Sequence, residues 1–125
     1  MPSTTRYKRG DIVLVPFPFT DLSSSKRRPA LVISSDDFNG QMQDLVVAAI
    51  TSQLTNDRAV TVESSDCIDG TLPRTLVVKL AKIFTIHSAL VIKRICALHP
   101  EKLNAVLADL RWRLLRSAQR CRART

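Results

Sequence analysis

The apolar positions of this chain fall in short runs separated by turn chemistry, and most runs are β-branched and too short for helices. Ile12 to Val15 is the first, read as a strand buried on both faces. Pro16 and Pro18 then withdraw two backbone donors, which confines Val15 to Phe19 to a sheet edge or a bend. Thr20 to Ser25 reads as a Ser-rich loop with Asp21 setting its turn, and Ala30 to Ser34 as the second strand. The polar stretch from Ser35 to Asp44 holds the turn pair Asn39-Gly40. Leu45 to Ile50 shows no alternation and is bounded by polar residues, the pattern of a central strand. Thr51-Ser52-Gln53 then sets three hydrogen-bonding side chains at the rim of the sheet. Further on, Ala59 to Glu63 alternates, and Asp69-Gly70 marks a turn. Leu76 to Leu80, Ile83 to Ile86 and Leu90 to Leu98 are three more strands, the last with Lys93-Arg94 on its wet face.

One stretch has helical period. Leu103, Val106, Leu107, Leu110 and Leu114 form a continuous stripe, and Pro100 suits the first turn before it. Five to seven strands closed by one amphipathic helix predict a mainly β fold, a small, strongly curved antiparallel barrel with a C-terminal helix packed on it. The expected organisation is a single domain over 1–125: a frayed terminus at 1–8, the barrel at 9–98, the helix at 100–120 and a basic tail at 121–125. Trp112 falls off the helical stripe and is expected to face a partner.

Composition narrows the classes of function. The 125 residues are 45% apolar, sufficient for a real core. Nineteen Lys and Arg against 11 Asp and Glu give a net charge of +8, a balance that favours a polyanionic partner. No apolar run has the roughly 18 residues needed to span a bilayer, and Met1 to Arg9 lacks the apolar segment of a secretory signal, so a cytoplasmic location is expected. Cys67, Cys96 and Cys121 are odd in number and widely spaced, which fits neither a disulfide framework nor a zinc site; they read as reduced structural thiols. No glycine-rich phosphate loop, metal cluster or nucleophile elbow is present, and no cofactor is expected.

Charge concentrates at Lys26-Arg27-Arg28, read as a cationic loop that runs through Pro29 into a strand. Three adjacent cations repel one another and gain nothing for the fold unless an anion sits opposite them. Pro29 drives Arg28 into an extended conformation, so Arg28 has the best-defined direction of the three. The plain alternative is a solvated basic loop.

Four segments then carry a resemblance: Arg9-Gly10-Asp11-Ile12-Val13-Leu14-Val15, Phe17-Pro18-Phe19-Thr20-Asp21, Lys26-Arg27-Arg28-Pro29-Ala30-Leu31-Val32-Ile33-Ser34, and Ile50-Thr51-Ser52. In this order and spacing they resemble the MazF/PemK family of toxins, over about residues 9–110. The resemblance implies an SH3-like barrel of the kind shared with gyrase-poison toxins, a homodimer, and metal-independent cleavage of single-stranded RNA at short sequences. It also implies a cognate antitoxin whose acidic tail covers the site. By the same resemblance Arg28 matches the catalytic arginine before the proline, and Thr51 the catalytic threonine at the end of the third strand. Two departures bear on base preference: Ala81 and His87 stand where the family often carries Asp, and Ser23, Ser24 and Ser25 occupy a loop that usually contains glycine.

The chemistry is consistent with those residues. RNA carries its own nucleophile in the 2′-hydroxyl, which attacks the adjacent phosphorus and leaves a 2′,3′-cyclic phosphate and a 5′-hydroxyl. A fixed guanidinium such as Arg28 matches the charge that gathers on the non-bridging oxygens, and Thr51 can hydrogen-bond the reacting hydroxyl or phosphate. Lys26 and Arg27 would contact flanking phosphates, Ser52 and Gln53 base edges, and Phe17 and Phe19 would stack on bases unless they serve the core. His87 has a suitable ordinary pKa for proton transfer, but a lone histidine in an apolar stretch is commonly structural. His99, beside Pro100, reads as structural. Lys79 faces either the cavity or solvent, and the terminal arginines either an acidic antitoxin, RNA or solvent. Two other classes stay open: a non-catalytic gyrase-type poison on the same barrel, and a plain nucleic-acid-binding barrel.

Overall fold

The computed structural model describes residues 7–17, 26–51, 60–72 and 74–124. The strands are β1 (Asp11–Phe17), β2 (Lys26–Val32), β3 (Asp44–Thr51), β4 (Val60–Val62), β5 (Cys67–Asp69), β6 (Leu76–His87) and β7 (Lys93–Leu98). The helices are α1 (Asp36–Gln41) and α2 (Pro100–Arg124). All seven strands join one antiparallel sheet in the order β4-β6-β3-β2-β1-β7-β5, curled into a half-barrel. The mainly β fold with a closing helix expected from the hydrophobic pattern is therefore the observed one.

The central strands are dry on both faces, as their unbroken apolar runs require. Ile12, Leu31, Ala48, Ile50 and Val78 face one core, which α2 covers with Leu103, Val106, Leu107 and Leu110. Val13, Val15, Ala30, Val32, Leu45 and Val47 face a second core, closed by Tyr7, Phe84, Ile86 and Val91. Pro16 sits in β1 without breaking it, because β7 pairs with β1 only over Asp11 to Leu14. Beyond Leu14 that side of β1 needs no donors from within the sheet.

Several expectations are corrected. Lys26-Arg27-Arg28 is strand, not loop: Arg28 pairs with Val15, Arg27 with Pro16 and Lys26 with Phe17. Asn39-Gly40 lies inside α1, not in a turn. Ser35 caps that helix by accepting from the Phe38 N–H at 3.1 Å, and Asp36 and Asp37 suit its first turn. Asn39 is buried, hydrogen-bonded to the Ser34 hydroxyl and donating to the Ser34 carbonyl. The segments from Leu76 and Ile83, expected as two strands, are one twelve-residue strand with a register shift opposite Ala48/Ala49, a bulge between the two apolar runs. Helix α2 continues to Arg124 instead of ending at Arg120. Its apolar stripe stops packing at Leu110, and Leu114 is 63% exposed.

The opening Arg9-Gly10-Asp11 acquires a physical reason. Gly10 adopts φ +98°, and a Cβ there would lie 3.0 Å from the Leu103 side chain on α2. Its carbonyl accepts from Leu98 and its N–H donates to Val32, so it joins three elements at one point. Asp11 is buried, accepting from Lys8 N–H at 2.8 Å and from Arg94 Nε at 3.2 Å. Arg94 also reaches Asp69 at 3.1 Å, and Asp69 accepts from the Ala97 N–H at 3.0 Å. Lys93-Arg94 is thus exposed, but Arg94 ties the start of β1 to the edge strand β5.

Two measurements check this arrangement. Ile12→Ala should cost about 2–5 kcal/mol in urea unfolding and Leu114→Ala less than about 0.5 kcal/mol, although the sequence gives both a core pattern. The hydrogen bond from Arg94, then that from Ala97, hold the Asp69 carboxyl below its usual value against the opposing effect of burial. A lowered folded-state pKa gives stability that is present above the unfolded carboxyl's pKa of about 3.9 and is lost as pH falls through the folded value. Acid unfolding should therefore steepen below about pH 4, and Asp69→Asn should flatten that limb.

Candidate active site

The β2–β3 ladder runs through Val32↔Val47, Leu31↔Ala48 and Ala30↔Ala49, and ends immediately before Pro29, which has no N–H to donate. Both strands continue past it. The same register carried two residues further sets Arg28 level with Thr51. Arg28 shares a face with Ala30 and Val32, and Thr51 with Ala49 and Val47, because alternate strand residues share a side. Arg28 and Thr51, separated by more than twenty positions in sequence, therefore lie on one side of one sheet. Arg28 is exposed and Thr51 half-buried. Flanking them on the same face are Val15, the cross-strand partner of Arg28, and Val77, that of Thr51, both buried.

Lys79 belongs to the same neighbourhood. It pairs with Ala49, two positions from Val77 on β6, and is half-buried on the face that carries Thr51. Sequence reading left its direction open because the bulge at the middle of β6 breaks the alternation by which a face would be counted.

The other candidates separate. Arg27, consecutive with Arg28, projects to the opposite side of β2 and is exposed there. Lys26 and Phe17 pair with each other in backbone register at the end of β1 and β2. Ser52, Gln53 and Phe19 lie outside the described residues. His87 pairs with Asp44 at the other end of β3, seven residues and roughly 23 Å of strand away from Thr51. Its Nδ1 accepts from the Ala89 N–H at 3.0 Å, capping a 3-10 turn at Ser88–Leu90, and its Nε2 meets Gln43 Oε1 at 3.0 Å. That pair of bonds makes it a structural histidine. His99 accepts the first α2 bond through its carbonyl and donates its N–H to the Asp66 carbonyl. Trp112 is 40% exposed on α2. Among the described residues no three His, Cys, Asp or Glu side chains gather as a metal site, and no helix is long and apolar enough to cross a membrane.

An arginine and a threonine held on adjacent strands, next to a lysine, offer an anion one fixed charge, one hydroxyl and a second cation on the same surface. Residues 8–114 match the family model described as PemK-like, MazF-like toxin of type II toxin–antitoxin system. The chain belongs to that family. Solved toxins share its fold. A MazE–MazF complex from Deinococcus radiodurans is 22% identical, with a TM-score of 0.70 over 90% of this chain and 97% of that one. An endoribonuclease in complex with its cognate antitoxin, from a mycobacterial species, is 22% identical, with a TM-score of 0.63 over 86% of this chain and 94% of that one. A MazF toxin of Mycobacterium tuberculosis is 19% identical, with a TM-score of 0.63 over 80% of this chain and 91% of that one. No curated protein sequence gives a significant match.

In this toxin the structural role of His87 has a measurable consequence. His87→Ala removes the acceptor that caps the 3-10 turn and should cost about 0.5–1 kcal/mol in chemical denaturation. His87→Asn, which keeps a short acceptor, should recover part of the loss.

Proposed function

We propose that this toxin is a metal-independent, sequence-specific endoribonuclease that cuts single-stranded RNA in the cytoplasm, works as a homodimer, and is restrained by a cognate antitoxin with an acidic tail. The observation that carries the reading is the shared face of Arg28 and Thr51, an exposed guanidinium level with a half-buried hydroxyl. Membership of the family, the relatives described as an endoribonuclease and as toxin–antitoxin complexes, and the net charge of +8 support it.

The reaction begins at the substrate's 2′-hydroxyl, which attacks the adjacent phosphorus as the bond to the 5′-oxygen breaks. The products are a 2′,3′-cyclic phosphate and a 5′-hydroxyl, and DNA, which lacks the nucleophile, is spared. Arg28 bonds the non-bridging oxygens as negative charge gathers on them, in a setting prearranged by the strand rather than organised at the moment of reaction. Thr51 hydrogen-bonds the attacking hydroxyl or the phosphate. Lys79 holds a neighbouring phosphate on the same face as a point charge. The guanidinium is a planar, delocalised cation, so Arg28 acts as a fixed charge and no proton transfer is assigned to it. Arg27 and Lys26 draw in the polyanion, Ser52 and Gln53 read base edges, and Phe17 stacks on a base.

The test is incubation of the purified chain with a long unstructured RNA in excess EDTA, followed by mapping of the cut ends. Cuts at one short motif with cyclic phosphate ends are expected. Arg28→Ala should lower kcat/KM at least about 100-fold and Thr51→Val at least about tenfold, with thermal unfolding nearly unchanged. Cleavage that persists in Arg28→Ala would overturn the assignment, and RNA binding without cleavage would favour a plain binding barrel. Lys79→Ala should weaken RNA binding across sequences and reduce the salt slope by about 1, with the cleavage motif unchanged.

A further inference from the structure

At the β7–β5 end of the sheet order, away from the strands that carry the candidate active site, two cysteines come together. Cys67 and Cys96 are both buried and both free, and their Sγ atoms stand 2.9 Å apart, closer than ordinary van der Waals contact between sulfurs. The chain on either side of Cys67 is pinned to β7 and its exit. The Asp66 carbonyl accepts from His99 N–H at 2.8 Å, and the Asp69 carboxylate accepts from Ala97 N–H at 3.0 Å and from Arg94. Cys67 pairs with Leu98, and Cys96 lies two residues from Leu98 on the same face of β7, so the two thiols meet diagonally across the strand pair. Gly70, at φ +73°, completes the approach, since a Cβ there would stand 2.5 Å from the Ile95 carbonyl and 2.9 Å from the Cys96 Cβ.

We propose that Cys67 and Cys96 form an intramolecular disulfide on exposure to a low-molecular-weight disulfide, making this edge of the sheet a redox-sensitive modification site. Cys67 is the point of entry: it lies on the edge strand and keeps 8% of its surface exposed, whereas Cys96 is fully enclosed. Burial first, and then the Cys67 thiol beside it, push the Cys96 thiol up to about 12, so Cys96 is a weak nucleophile toward a reagent in solution and attacks only the sulfur held against it. The Cys67 sulfur attacks one sulfur of the reagent, whose S–S bond breaks, and one thiol leaves with the Cys67 proton. The Cys96 sulfur then attacks the Cys67 sulfur and expels the second thiol with the Cys96 proton. The two protein thiols are oxidised by two electrons and the reagent disulfide is reduced to two thiols. The new bond closes the chain between positions 67 and 96 and staples the edge strand to β7, restricting mainly the unfolded ensemble.

The experiment treats the folded full chain with excess glutathione disulfide, beside a sample kept in dithiothreitol, and reads non-reducing peptide maps, intact mass and thermal unfolding. The expected product has lost two hydrogens, contains a linked Cys67–Cys96 peptide, and unfolds roughly 5–15 °C higher than the reduced chain. Cys96→Ser should stop at a glutathione adduct on Cys67, while Cys67→Ser should leave Cys96 unmodified. A wild-type chain that keeps the adduct on Cys67, or in which only Cys121 reacts, overturns the proposal without any variant having to fold. None of these readouts involves RNA, so the disulfide stands or falls apart from the endoribonuclease reading.

Discussion

The structure depends on a sheet whose middle is dry on both sides. Ile12 and Val13 are consecutive, point in opposite directions and are both fully buried, and Leu31 with Val32 and Val47 with Ala48 repeat the pattern on the next two strands. A flat sheet with one covering helix leaves one of those faces wet. The sheet must curl, closing the second core over itself with Phe84, Ile86 and Val91 while α2 covers the first. The curl brings strand ends together, and at strand ends the alternation can carry polar residues without burying them. Arg28 and Thr51 occupy such ends, each just beyond the last apolar pair of its ladder.

Order at that position comes from the neighbouring strands. Val15 and Val77 are closed off from solvent directly across from Arg28 and Thr51. Pro29 fixes its own φ and biases Arg28 toward the extended region that a strand requires. An arginine projecting from a paired strand loses less on meeting a phosphate than one projecting from a loop, since its backbone is already ordered. The Asp11–Arg94–Asp69 bridge does comparable work at the other end of β1, where it joins the first strand to the edge of the sheet.

The sequence made the large features legible because they rest on local signals. Runs such as Leu45 to Ile50 name their own burial, and Pro100 ahead of the Leu103–Val106–Leu107–Leu110 stripe announces a helix. What it misread depends on distance. Nothing local to Lys26-Arg27-Arg28 reveals that β1 extends far enough to pair with all three. A cap signal was present for α1 in Ser35-Asp36-Asp37, yet Asn39-Gly40 is an equally good local turn, and the choice falls to the buried Asn39–Ser34 bonds. Arg94 looks like any wet lysine or arginine until Asp11 and Asp69, distant in sequence, are set beside it. Arg28 stands out locally through its cationic neighbours and Pro29, but its link to Thr51 was legible only through family resemblance, whereas Lys79 needed the register of a bulged strand.

That the basic triplet is strand has a consequence for how its charge is used. Consecutive strand residues leave the backbone in opposite directions, so Arg27 and Arg28 cannot close on the same phosphate as two fingers of a loop would. One sheet thereby separates two cations that a charge count merges: one guanidinium on the face that carries Thr51, the other on the far face. Moving the pair by one position would exchange the two faces without altering the composition or the net charge of the chain. The information lies in the parity of a residue along its strand.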